Sequence, residues 1–215
     1  MSKPATGDDK VSVATSIDAI DGNVSTPSMA SSTVAPQMLD RQTIVTFTGR
    51  GDEMIDLGPG NDRFIVQAVH TGTGVFSVRA RNEAFDTLAV PLFGRAGRPY
   101  RGSQVIGAEP AQIRYLEVSA NGNWSVEMLT PSMLDSVSLP FNGELDQAFT
   151  YEGEGGDVRI THEGDGSFIV VTGEPGLQEV VVSVAGAYDS VDRLPRGPIL
   201  VNVQSTGRWT IALDA

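Results

Sequence analysis

His70-Thr71-Gly72-Thr73-Gly74-Val75-Phe76-Ser77-Val78 and His162-Glu163-Gly164-Asp165-Gly166-Ser167-Phe168-Ile169-Val170 lie 92 residues apart and agree at five of nine positions. The shared residues are the His, both Gly, the Phe and the Val. The same offset sets Val90 on Val182 and Gly94 on Gly186. Further along, an offset of 85 sets Val118 on Val203, Gly122 on Gly207, Trp124 on Trp209 and Val126 on Ile211. Upstream, an offset of 94 sets Phe47, Gly49 and Asp52 on Phe141, Gly143 and Asp146. Matches that keep their order along the chain mark duplication of a structural unit.

The spacing predicts an all-β fold: two tandem homologous antiparallel β-sandwich or jelly-roll-like domains behind an extended N-terminal arm. The boundaries are 1–43 for the arm, 44–130 for the first copy, 131–138 for a linker and 139–215 for the second. Each copy is short enough to bury only roughly 60–65% of its unfolded surface. Alternating segments at 63–69 and 157–161 run into the Gly-x-Gly turns, and 75–80 and 167–172 leave them. Strands at 86–93 and 178–184 follow, then a loop rich in Pro, Gly and Arg. Segments 112–119 with 123–128, and 198–204 with 208–213, read as closing hairpins across Asn121-Gly122 and Thr206-Gly207. Six or seven strands per copy are expected, with one helical turn near 132–138.

The totals narrow the function. The chain has 215 residues, no Cys, and a net charge of −12 with a pI near 4.5. No disulfide, thiolate metal site or Cys nucleophile is available. An acidic chain does not suit a phosphate backbone, so nucleic acid is not an expected partner. No apolar run nears the roughly 20 residues that span a bilayer, so no membrane is expected. The N-terminal ten residues lack the apolar core of an export signal, and none is expected. The charge is uneven: 8 Arg against 9 acids in 44–130, and 4 Arg against 12 acids in 139–215.

Several motifs have structural explanations. Trp124 and Trp209 alternate with Val126, Met128, Ile211 and Leu213, which sets both indoles on an apolar face rather than on a sugar-binding surface. His70 and His162, the two histidines of the chain, each precede a Gly turn without a companion nucleophile or ligand set. They read as structural caps. Asp56-Leu57-Gly58-Pro59-Gly60-Asn61-Asp62-Arg63-Phe64 resembles one nonapeptide of the calcium-binding β-roll family, which binds Ca²⁺ between stacked successive turns. It occurs once, so it reads as a Gly/Asn/Asp loop and no cofactor is expected. Arg50-Gly51-Asp52 matches an adhesion tripeptide, but Asp52 aligns with Asp146 and reads as a turn residue.

The most unusual surface feature is Arg95-Ala96-Gly97-Arg98-Pro99-Tyr100-Arg101-Gly102. Arg and Tyr are enriched at interface hot spots. Arg95, Arg98, Tyr100 and Arg101 are therefore the candidate protein-contact residues, set against an acidic protein surface. No catalytic constellation stands out. The expectation is a non-enzymatic structural protein of a larger assembly: a phage virion component of head-decoration or tail-associated type. Its partners would be protein subunits, including copies of itself, with the arm ordered by a neighbour. The alternative is a carbohydrate- or protein-binding module at a bacterial cell surface.

The arm, dominated by Ser, Thr, Ala, Asp and Pro, has too little apolar surface to offset a backbone entropy cost of about 1–2 kcal/mol per residue. Limited proteolysis of the isolated chain is expected to remove the arm first and leave a stable fragment starting near Gln42. An arm that survives as long as the rest of a dilute monomer would remove its part in assembly.

Overall fold

The computed structural model describes residues 44–59, 61, 63–88, 92–95, 99–106 and 110–214, with backbone alone at 92–95 and 110. The arm, Gly60, Asp62, Val90 and Arg98 lie outside the described residues. The structure is all-β, with 3-10 turns at Pro110–Gln112 and Pro131–Met133.

Residues 45–129 form two four-stranded sheets. In the first, β1 (Val45–Arg50) pairs with β8 (Asn123–Leu129), β8 with β3 (Ile65–His70), and β3 with β6 (Tyr100–Val105). In the second, β2 (Glu53–Asp56) pairs with β7 (Tyr115–Ala120), β7 with β4 (Phe76–Arg81), and β4 with β5 (Leu92–Arg95). Residues 136–213 form the other two. One runs β10 (Phe141–Glu144), β17 (Arg208–Leu213), β12 (Gly156–Glu163), β15 (Tyr188–Leu194). The other runs β14 (Glu179–Ala185), β13 (Ser167–Thr172), β16 (Ile199–Ser205), β11 (Gln147–Tyr151), β9 (Ser136–Val137). Every pairing is antiparallel except the short β9–β11 contact.

The aligned residues occupy matching register positions. Phe47 stands opposite Val126 and Gly49 opposite Trp124; Phe141 stands opposite Ile211 and Gly143 opposite Trp209. Each indole lies across its glycine: a Cβ on Gly49 or Gly143 would come within 2.4 Å of the ring. Each indole N–H donates at 2.9 Å to a backbone carbonyl, that of Gly51 or Leu145. Both acceptors have positive φ, 77° and 71°. Asp52 accepts the Ala120 N–H and Asp146 the Ser205 N–H, each at 2.9 Å. Both tryptophans are buried, together with Phe76, Leu116, Phe168 and Ile160.

Three details differ from the sequence expectation. The Gly-x-Gly turns are not hairpins, since β3 and β4 belong to different sheets, as do β12 and β13. The same holds for β7–β8 across Asn121-Gly122 and β16–β17 across Thr206-Gly207. Each turn arches from one sheet to the other. Gly72 and Gly164 are therefore required by close approach, not by positive φ. A Cβ on Gly72 would collide with the Asn121 carbonyl and His70 Nε2, and one on Gly164 with the His162 ring.

Second, among the described residues each half has eight strands in its two sheets, to which β9 is added in the second half. The missed strands are β6, which begins at the end of the Pro/Gly/Arg stretch, and its counterpart β15. Third, the offset is displaced there. Leu92 stands opposite Val78 as Val182 stands opposite Val170, so Leu92, rather than Val90, takes the matching place. Tyr100 and Tyr188 are then equivalent, facing His70 and His162. The helical turn occupies 131–133, at the start of the stretch expected for it, and Ser136–Val137 is strand.

Truncating Trp124 or Trp209 to Ala is expected to cost about 3–5 kcal/mol each. Chemical denaturation measures this, and native emission should be short in wavelength and resist iodide. A water-like emission maximum in the folded chain would contradict the burial of these rings.

Candidate interaction site

β6 is the segment where composition singled out a surface, and the structure places it at a junction. As the last strand of its sheet it would expose a row of unpaired backbone groups, a template for unwanted pairing. Groups from 146–202 meet this edge instead. The Ser103 N–H donates to the Asp146 carbonyl at 3.2 Å, and the Val105 N–H donates to Asn202 Oδ1 at 3.2 Å. In return the Ala148 N–H donates to Ser103 Oγ at 2.9 Å. Ala148 and Leu200, on the outer face of their sheet, join the apolar cluster of the first half. Leu145 packs on the same cluster.

Tyr100 is only 2% exposed and its hydroxyl donates to Asp146 Oδ2 at 2.7 Å. Buried so deeply, it is not the outward contact residue that the composition of 95–102 suggested. The ring packs beside Phe76, which stacks on His70 with 4.8 Å between centroids. Gly102 leaves room for the phenol, because a Cβ there would meet the Tyr100 hydroxyl at 2.2 Å. Asp146, 6% exposed, accepts from Tyr100 on one oxygen and from the Ser205 N–H on the other. The groups that receive this strand, the Asp146 carboxylate and carbonyl, Asn202 and the Ala148 N–H, belong to the same chain.

The other candidates do not converge. Arg101 is exposed and lines a cleft of about 390 Å³ between the halves, with Glu144 and Asp146. Arg95 ends β5 and only its backbone is described. Arg98 lies outside the described residues. The structure thus brings Tyr100 and Arg101 to the junction and does not gather the arginines into one described patch.

The remaining motifs have local roles. Asp56 accepts the Gly58 N–H at 2.8 Å and pairs with Arg114 at 2.9 Å. Asn61 Oδ1 accepts the Arg63 N–H at 3.3 Å. Among the described residues no group of three His, Asp or Glu side chains is placed to hold a metal ion. Both His rings are buried and stacked on phenylalanine, His162 on Phe168 at 4.5 Å. His162 Nδ1 meets the Gly186 carbonyl at 2.8 Å.

β15 is the counterpart of β6, and its chemistry diverges. Tyr188 is half-buried and donates to Asp192 within its own strand at 2.7 Å. Burial, then the Asp192 carboxylate, raises its pKa above the ordinary phenol value. Asp189 pairs with Arg159 at 2.8 Å, and the hydrogen bond from Arg159 holds its carboxyl below the usual range. Ser103 and Asn202 went unnoticed in the sequence, and Asp146 was read there only as the turn residue that matches Asp52. The readable signal was Asn202, a polar residue inside the apolar run Ile199-Leu200-Val201-Asn202-Val203. The chain matches no protein-family model and no curated protein.

Tyr100→Phe is expected to destabilise the chain by about 1.5–3 kcal/mol, the range for a hydrogen bond to a charged group. Tyr188→Phe, whose partner Asp192 is only half-buried, should cost less than about 1 kcal/mol. Urea denaturation of the two variants checks the order, and equal losses would show that Asp146 gains nothing from Tyr100.

Proposed function

We propose that this chain is a non-enzymatic structural protein made of two tandem copies of one jelly roll. Its task is assembly through protein–protein contacts, in a tailed-phage virion, as a head-decoration or tail-associated component. The fold part of the proposal draws on strand order. In each half the first strand pairs with the eighth, the eighth with the third and the third with the sixth, counting within the two-sheet set. The companion sheet joins the second, seventh, fourth and fifth. That order supports an eight-stranded roll, a plan that capsid domains share with lectins and cupins.

The observation that carries the functional part is the junction. The edge of one β unit is built to dock on the outer face of a similar unit, using buried polar groups that fix its register. Such contacts are the means by which β units are joined into larger bodies. Arg95, Arg98 and Arg101 remain the candidate outward contact, now without Tyr100 as an anchor; of these, Arg101 is described and exposed. Exposed charges steer a partner more than they hold it, at about 0–1 kcal/mol per pair.

A second reading, a carbohydrate- or protein-binding module at a bacterial surface, draws on Phe85. This residue is 52% exposed, has φ of 63° and stacks on Tyr115 at 4.8 Å. An aromatic held outward against its backbone preference is what a sugar platform would use.

The deciding experiment is quantitative mass spectrometry of purified phage particles whose genome encodes the chain. A structural component is recovered at a fixed copy number through high-salt and detergent washes. Replacing Arg95, Arg98 and Arg101 by Ser should leave the melting temperature within about 2 °C and lower incorporation at least several-fold. Recovery from cell envelopes instead, with glycan binding abolished by Phe85→Ala, would overturn the virion reading and support the second.

A further inference from the structure

The junction within the chain has an unused counterpart. It joins the outer edge of β6 to the outer face of β11 and β16. By register, β15 corresponds to β6, and β2 and β7 correspond to β11 and β16. Yet among the described residues β15 pairs only with β12, and β2 only with β7, so neither has a described strand on its other edge. The chain therefore carries a free edge at one end and a matching free face at the other.

The residues on these two surfaces complement each other. Ser103 meets Ala148 in the chain. Their counterparts are Val191 and Met54, each 44% exposed and among the few large apolar side chains left in water. Leu200, covered at the junction, corresponds to Tyr115, which carries the exposed Phe85. Arg101 lines the cleft with Glu144; the counterparts are Asp189 and Arg50, the same pair with the signs exchanged. Both Asp189 and Arg50 are exposed.

We propose that copies of this chain associate head to tail, with β15 of one copy seated on the β2–β7 face of the next. The proposal rests on reading the chain as a duplicated unit that serves assembly. The contact repeats the junction's placement with different packing. Where Gly102 lets the strands close up, Ser190 carries a Cβ, and a Cβ at Gly102 would lie 2.8 Å from the Asp146 carbonyl. The two chains stand slightly further apart, and Val191 and Met54, larger than Ser103 and Ala148, fill the gap. Fewer buried hydrogen bonds hold this contact than hold the junction, so it is reversible. Because the two surfaces differ, each added copy presents a fresh edge and a fresh face, and growth continues unless the rotation closes a ring.

Sedimentation velocity of the full chain tests this. From about 1 to several hundred micromolar, the average sedimentation coefficient should rise past the dimer value. Val191→Glu and Met54→Glu lie at exposed positions, where substitutions seldom disturb folding, and circular dichroism confirms that each is folded. Each should weaken self-association at least tenfold. Mixed, they should form a 1:1 dimer and nothing larger, through the intact edge of one and the intact face of the other. Arg50→Asp should weaken the wild-type contact, and Asp189→Arg in the same chain should restore it.

A wild-type chain that stays monomeric throughout, or a variant mixture that stays monomeric, overturns the proposal. Self-association that both single variants leave unchanged also overturns it, while leaving assembly through another face in place. The particle experiment above decides the assembly reading independently of these outcomes.

Discussion

The relation between the halves depends on where the Asp146 carboxylate finds its donors. A buried carboxylate without donors costs several kcal/mol, so Asp146 must be fully occupied to be tolerated. One oxygen is satisfied from its own half, by the Ser205 N–H, and the other from the opposite half, by the Tyr100 hydroxyl. The same residue's carbonyl then takes the Ser103 N–H. Asp146 thus ties a turn, a neighbouring strand and a foreign edge to one point. Ala148, Leu200 and Leu145 add apolar area around it.

Two halves that match in strand register separate the features a fold requires from those it can reassign. The stacked His and Phe, the glycine beneath each indole and the aspartate that caps the adjoining strand occur in both halves at the same register. These serve the interior of each sheet pair. Gly51 and Leu145 occupy one backbone position with φ near 77° and 71°. Glycine is at ease there, whereas leucine adopts it at a cost of roughly 1–2 kcal/mol. The leucine side chain packs against the first half's core, so a position that is a mere turn in one half becomes a packing element in the other.

The sequence was most informative where local chemistry and tertiary role coincide. The alternation around Trp124 and Trp209 states which face is apolar, and the burial of both rings follows from it. It was least informative where one residue type serves two purposes. Glycine before a strand suits a positive-φ hairpin and also a close crossing of chains, and only the Asn121 carbonyl above Gly72 distinguishes them. Tyr100 among arginines reads as a contact anchor in composition. Nothing local to it reveals that a partner 46 residues away will bury it. The displaced offset had a similar origin: the connections into β5 and β6 are longer than those into β14 and β15, and a Gly–Gly match hid the Tyr–Tyr equivalence.

The bare edge of β6 also has a history in time. Synthesis proceeds from the N-terminus, and Val105 precedes its acceptor Asn202 by 97 residues. At usual elongation rates that is a delay of roughly 5–20 s. During this interval the first half can close its sheets, because all its strands end by Leu129, but its last edge has no cover. Nascent chains crowded on one messenger would present that edge to one another while it is open. Arg101, projecting from this strand into solvent, places a charge where a stray strand would otherwise pair, and so guards the edge until the second half emerges.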